Sequence, residues 1–273
     1  MNIFNIIEKI GELNIESSPK SRRESIFGLG SFSKSVAIAA VPASILAIIP
    51  TLSKAGNKAG SMVSIPDVLN FALTLEYLEA KFYTMGVSSG VIAAADLAIF
   101  QQIKKHEDAH VSLLQATIVS LGGTPVTSPK FDFTAKGAFD PFNVYAQFLA
   151  LSQAFEDTGV RAYKGQAGNL ISNNDVLTAA LQIHSVEARH ASEVRRLRKK
   201  NGMDPDNKGW ISGSNRGTLP SATQAIYNGE DNVMQGGVDV TTITTAGADA
   251  IKEAFDEPLT DTQTLAIASL FIV

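Results

Sequence analysis

Two Glu-x-x-His units, Glu107 with His110 and Glu187 with His190, stand 80 residues apart in the chain. On an α-helix a spacing of three points both side chains to one face. A further glutamate precedes each unit by 31 residues, so Glu76 and Glu156 share the same 80-residue offset. Tyr83 and Tyr163 follow those glutamates by two helical turns, and Gly122 and Gly202 close the two halves in the same register. These residue types suit the holding of cations. A buried ionised carboxylate costs several kcal/mol unless it is compensated, and several together push one another's pKa upward. Two divalent ions balance four carboxylates, and neutral imidazoles fill coordination positions without altering that sum. One Glu from each of two helices, with Glu-x-x-His from each of two others, is the donor set of dinuclear carboxylate centres. The expected metal ligands are therefore Glu76, Glu107, His110, Glu156, Glu187 and His190, with no catalytic residue beyond them. Tyr83 and Tyr163 are read either as hydrogen-bonding or redox groups beside the metals, or as packing residues with a satisfied hydroxyl.

The elements that must carry these groups are legible from apolar periodicity. Leu69, Leu73, Glu76, Ala80 and Tyr83 form one stripe, on a helix opened by Ile65-Pro66-Asp67. Phe100, Ile103, Glu107, His110, Leu114, Thr117 and Leu121 form the next, on a helix from about residue 92 that Gly122-Gly123 ends. A long connection with Pro125 and Pro129 follows, too long for a hairpin turn and suited to a crossover. Asp140-Pro141 is expected to cap and start the third helix, with the stripe Leu149, Ser152, Glu156, Val160 and Tyr163. The fourth runs from Asn174 to about Lys200 with Ala180, Ile183, Glu187, His190, Val194 and Leu197 on its inner face. Arg195, Arg196, Arg198, Lys199 and Lys200 are read as solvated charge complementing the helix dipole. Glu79 and Glu193 have no acidic counterpart at the 80-residue offset, where Gly159 and Leu113 stand, and are read as surface groups or neighbours of the ligands. His106 and His184 are read as partly exposed, with a place beside the ligands as the alternative.

The chain thus divides into residues 1–53, a linker over 54–64, an all-α four-helix bundle with a long crossover between its second and third helices over 65–201, and a C-terminal extension over 202–273 that is irregular with short helices and packs on the bundle. Residues 1–53 have the layout of an export signal or membrane anchor: an amphipathic start, Ser21-Arg22-Arg23, an apolar run from Val36 to Leu52 broken by Pro42 and Pro50, then small residues. Ser-Arg-Arg resembles the twin-arginine signal, although Ser25 stands where that signal usually has Phe. From this layout the protein is expected in the periplasm or cell envelope, free or anchored to the membrane. In the extension, Thr260-x-x-Gln263 has capping-box form, a short helix is expected around Asp249–Phe255, and Leu265, Ile267, Ala268, Leu270 and Phe271 are expected to pack back on the bundle. The formal charge of −4, with no basic cluster interleaved with aromatics, gives no reason to expect a nucleic-acid partner. With no cysteine, disulfides, iron–sulfur clusters and thiolate metal sites are excluded, and oxygen and imidazole donors suit Fe or Mn.

LEYLEAKFY (75–83), HEDAH (106–110), QAFEDTG (153–159), VEARH (186–190) and AFDEPLT (254–260) together resemble the ferritin-like domain proteins of bacteria, in the branch related to plant desiccation-associated proteins. The resemblance covers about residues 64–201, and all six ligand positions are present. It implies a ferritin-like four-helix bundle with two Fe or Mn ions. The expected function is redox chemistry toward O₂ or peroxide, in the manner of a ferroxidase or peroxidase protecting against oxidative stress. The alternatives are a non-catalytic envelope or stress protein using metals as structural clips, an oxygenase of organic substrates and, ranked last, an iron-storage cage.

Overall fold

The computed structural model describes residues 63–273; the expected signal or anchor and most of the linker lie outside the described residues. The described part is mostly helical. Its four long helices are α1 (Ile65–Ser89), α2 (Leu97–Ser120), α3 (Tyr145–Ala167) and α4 (Asn174–Lys200). Each boundary has a local cause. Ser64 caps α1 by accepting from the Asp67 amide, Pro66 sits in its first turn, and Gly90 stops it with a left-handed φ of 78°. Asn173 caps α4 through the Val176 amide.

Two starts differ from the sequence expectation. Asp140-Pro141 does not open α3. The Asp140 carbonyl accepts from the Val144 amide at 3.0 Å and its carboxylate from Asn143 at 2.7 Å, which closes a separate turn. Val144 is then extended, at φ −121° and ψ 104°, and α3 begins at Tyr145. Likewise α2 begins at Leu97, after a turn closed by the Asp96 and Leu97 amides on the Ala93 carbonyl.

Helix α1 packs along α2 and α3 along α4, while α1 also meets α3 and α2 meets α4. The predicted inner stripes are buried from Phe100 to Thr117 on α2, and throughout on α3 and α4; Leu121, past the end of α2, is exposed. Aromatic rings fill one end of the bundle. Phe82 stacks on Phe148 at 5.0 Å and meets Phe155 edge-on at 5.0 Å, and Phe100 meets Phe148 edge-on at 4.9 Å.

Every residue of α3 from Phe148 to Tyr163 is buried. A helix apolar or paired all round must be covered all round. The cover is the segment after Lys200: a 3-10 turn (Ser221–Ile226), a small antiparallel ribbon of β1 (Met234–Gln235) and β2 (Val238–Asp239), α5 (Ala248–Lys252) and α6 (Asp261–Ala268). The 3-10 turn and α6 both lie on α3. The expected capping box of Thr260 and Gln263 is present at the start of α6. Leu265, Ile267, Ala268 and Phe271 are buried as expected, whereas Leu270 faces solvent. The chain end returns to the crossover: the Asp132 amide donates to the Phe271 carbonyl at 2.8 Å and the Val273 amide to the Lys130 carbonyl at 3.0 Å.

The basic end of α4 departs from expectation. Arg195 and Arg198 are 5% and 2% exposed, not solvated. Arg195 holds Asp157 of α3 with Nη2 to Oδ2 at 2.5 Å, and Tyr227 donates to the same Asp157 oxygen at 2.6 Å. Arg198 reaches Gln153 at 2.5 Å and Thr218 at 2.9 Å. The reason is the cover: the segment after Lys200 folds back over this face of α4 and turns it inward.

Candidate metal centre

The middle of the bundle brings the six sequence-predicted groups together. Glu76, Glu107, Glu156 and Glu187 are all fully buried, and His110 and His190 are 8% and 4% exposed. Their donor atoms form two overlapping sets, each with every atom within 4.8 Å of the rest of its set. One is Glu76, Glu107, His110 and Glu187; the other is Glu107, Glu156, Glu187 and His190. Glu107 and Glu187 belong to both. The 80-residue repeat thus becomes a pseudo-twofold relation. The two first glutamates and the two histidines sit at opposite ends, and the glutamates of the Glu-x-x-His units meet in the middle.

Both imidazoles aim Nδ1 inward. His110 Nδ1 lies 3.2 Å from Glu76 Oε2, 3.0 Å from Glu107 Oε2 and 3.1 Å from Glu187 Oε1. His190 Nδ1 lies 2.9 Å from Glu107 Oε1 and 3.2 Å from Glu156 Oε2. The tyrosines cross between hairpins. The Tyr83 hydroxyl of α1 donates to Glu156 of α3, and that of Tyr163 on α3 donates to Glu76 of α1. Each therefore fixes one carboxylate oxygen of the glutamate its own helix does not carry. Burial, and then the charge of the glutamate it bonds, raises the pKa of each phenol well above the ordinary value, so both remain donors.

Electrostatics show what the site is built to hold. Burial raises Glu107 to about 7 against the nearby imidazoles of His110 and His190, which favour its charged form. Burial and then the charge of Glu107 lift Glu187 well above the usual carboxylate range. Burial also pushes Glu76 up, but the charge and hydrogen bond of His110, with help from Tyr163, bring it below its ordinary value. Burial would lower both histidines, yet the carboxylates win. His110 is raised far above an ordinary imidazole, chiefly by Glu76, and His190 is raised to about 11, chiefly by Glu156. Positive charge is favoured at both ends, and protons supply it when no cation does.

Protons do not complete the site. Glu107 Oε1, Glu156 Oε2, both Glu187 oxygens and His190 Nδ1 are buried without a hydrogen-bond partner. The approaches to His190 Nδ1 are short but lack hydrogen-bond angles. A buried polar atom left unsatisfied costs about 1–3 kcal/mol. Five of them converging in one place fit a cation, which accepts lone pairs from every side without angular demand from a hydrogen.

For two nearby residues the structure decides between the alternatives. Glu79, one turn after Glu76, is 3% exposed and so is no surface group. Burial, then the charges of Glu187 and Glu156, raise its pKa well above the carboxylate range. Its counterpart Gly159 explains the fit: a Cβ there would stand 3.2 Å from Glu187 Oε2 and 3.3 Å from Glu79 Oε1. His106 is half-buried, with Nδ1 2.8 Å from His190 Nε2. Glu193 and His184 are half-buried and belong to neither donor set.

Residues 65–200 match the family model for the ferritin-like domain. The chain belongs to the ferritin-like domain family through that stretch. Comparison with curated proteins yields no match.

Proposed function

We propose that the bundle is a ferritin-like four-helix bundle holding two Fe or Mn ions, and that the protein is an oxidoreductase acting on O₂ or peroxide. Glu76 and His110 would hold one ion, Glu156 and His190 the other, with Glu107 and Glu187 shared. The observation that carries the reading is the convergence of buried, unpartnered carboxylate and imidazole atoms into two overlapping sets. Bound Fe or Mn would supply two-electron exchange with a small oxidant. The chain's own part is to neutralise the ions with four carboxylates, to lock Glu76 and Glu156 by phenol hydrogen bonds, and to exclude bulk water.

A small space beside Glu79, lined also by Leu75, Leu78, Phe155, Thr158, Gly159, Ile267 and Ala268, measures about 10 Å³. That is room for about one water. The complete burial of the four glutamates also supports a second reading, in which the metals clip the helices together and no turnover occurs. A storage cage stays last, because the covering extension makes the subunit larger than a compact shell requires.

Loading the purified protein anaerobically with ferrous iron and then admitting O₂ or peroxide separates these readings. Consumption faster than in a Glu107→Ala, Glu187→Ala double variant supports the redox reading. Equal rates, together with a large loss of thermal stability on chelation, support the structural one.

We also propose that residues 1–53 export the protein to the periplasm or envelope, or anchor it there. No helix among the described residues is long and apolar enough to cross a membrane. Fractionation of cells making the full chain, compared with an Arg22→Lys, Arg23→Lys variant, tests the export route. Cytoplasmic wild-type protein would contradict export.

A further inference from the structure

The pseudo-twofold relation of the centre also breaks at its outer edge. His190 Nε2 faces His106 Nδ1 at 2.8 Å, with the rings within 8° of parallel. His106 Nε2 in turn lies 2.7 Å from the side-chain amide of the exposed Gln102. Together with Arg189 and Glu193, these two residues line an open hollow of about 390 Å³ between α2 and α4. The residue related to His106 by the 80-residue offset is Val186, which has no polar side-chain atom. Among the described residues, His110 has no side-chain hydrogen bond beyond those its Nδ1 makes with Glu76 and Glu107.

We propose that the two metal positions are unequal, and that His106 is the positioning residue that makes the Glu156–His190 position the tighter of the two. The inference rests on the metal reading above. A neutral imidazole that binds a cation through Nδ1 carries its proton on Nε2. His190 Nε2–H can then only donate, and His106 Nδ1 must accept. His106 accordingly carries its own proton on Nε2 and donates outward. Gln102 must receive that proton with its amide oxygen, and the two ends of an amide are interchangeable by a flip. The whole chain from ligand to surface thus has a single direction once a cation is bound. An outer hydrogen bond of this kind fixes ring orientation and raises ligand basicity, and its loss commonly lowers metal affinity about 10- to 100-fold. His110 lacks such a partner, so its position is the weaker.

The test is calorimetric titration of the full-length metal-free protein with Mn²⁺, paired with anomalous scattering from crystals given less than one equivalent of Mn²⁺. The expected result is two separable affinities, with the first ion found between Glu156 and His190. His106→Leu should weaken the first affinity about 10- to 100-fold and leave the second unchanged. His106→Gln, which retains an acceptor, should recover most of it. The ¹⁵N spectrum of the Zn²⁺-loaded protein adds a readout that packing alone would not move: His190 and His106 should both carry their protons on Nε2. Equal affinities in the wild type, first occupancy between Glu76 and His110, an equal effect of His106→Leu on both sites, or a proton on His106 Nδ1 in the Zn²⁺ form would each overturn the proposal. If Mn²⁺ does not bind at all, the metal reading itself fails and the proposal fails with it.

Discussion

Glu107 and Glu187 differ from Glu76 and Glu156 in kind, because their oxygens belong to both donor sets while each of the others belongs to one. Replacing Glu76 by Gln should therefore spare the position of Glu156 and His190. Replacing Glu107 should weaken both. Elemental analysis after equilibration with Mn²⁺ separates the cases: about one ion per chain for Glu76→Gln and well under one for Glu107→Gln are expected from the shared geometry. Protonation gives a second prediction. Glu107 is raised to about 7 and His190 to about 11, so without metal the folded chain holds protons that an unfolded chain would release. Each raised group contributes stability below its unfolded pKa and loses it as pH rises through the folded one. The metal-free protein should lose stability as pH rises from the ordinary carboxylate range through about 7, a loss followed by thermal melts. A cation must displace these protons, so its affinity should climb over the same window and onward toward about 11, with net proton release seen by calorimetry in buffers of different ionisation enthalpy. Proton uptake would contradict the assignment. At this scale the six central groups were legible because helical spacing and the offset repeat are properties of one chain read in order. Glu79 and His106 were legible only as alternatives, because what surrounds them is set by helices from elsewhere. Gly159 opens the space beside Glu79, and His190 of α4 arrives at His106 of α2.

The helices themselves were legible from stripes and caps, and the errors lie where one residue type serves two purposes. Asp-Pro starts helices and also makes turns; after Asp140 the turn prevails, since Val144 is extended. Arginines near a helix C-terminus usually meet solvent, but Arg195 and Arg198 meet Asp157, Gln153 and the covering segment. Asp157 immediately follows Glu156, so the Arg195–Asp157 pair also braces the turn of α3 that carries Glu156. Breaking a buried pair by removing one partner costs about 3–5 kcal/mol. Arg195→Ala should destabilise the protein by that order in urea melts, far more than Arg196→Ala on the exposed side of the same helix. Gly165 offers an independent check on the seating of the extension against α3. A Cβ there would land on the Leu259 backbone carbonyl, and overpacking of this kind costs about 1–3 kcal/mol. Gly165→Ala should lower the urea midpoint accordingly, and an unchanged midpoint would mean that α3 is not held this way.

For the described residues taken together, the centre and the cover form one mechanical system. Arg161 of α3 is 1% exposed and pairs with Glu230 at 2.7 Å, while its guanidinium also donates to the carbonyls of Ile226, Asn228 and Glu257. The extension is thereby tied to the helix that carries Glu156 and Tyr163. This long-range tie was not readable in order along the chain, because the segment after Lys200 shows little periodicity and draws its structure from what it covers. Anomalous scattering from crystals saturated with Mn²⁺ tests most directly whether cations sit at the middle of the bundle. Two peaks are expected, one enclosed by Glu76, Glu107, His110 and Glu187 and one by Glu107, Glu156, Glu187 and His190. Crystals diffracting well with no peak among these residues, or with the ions bound elsewhere, would contradict that expectation.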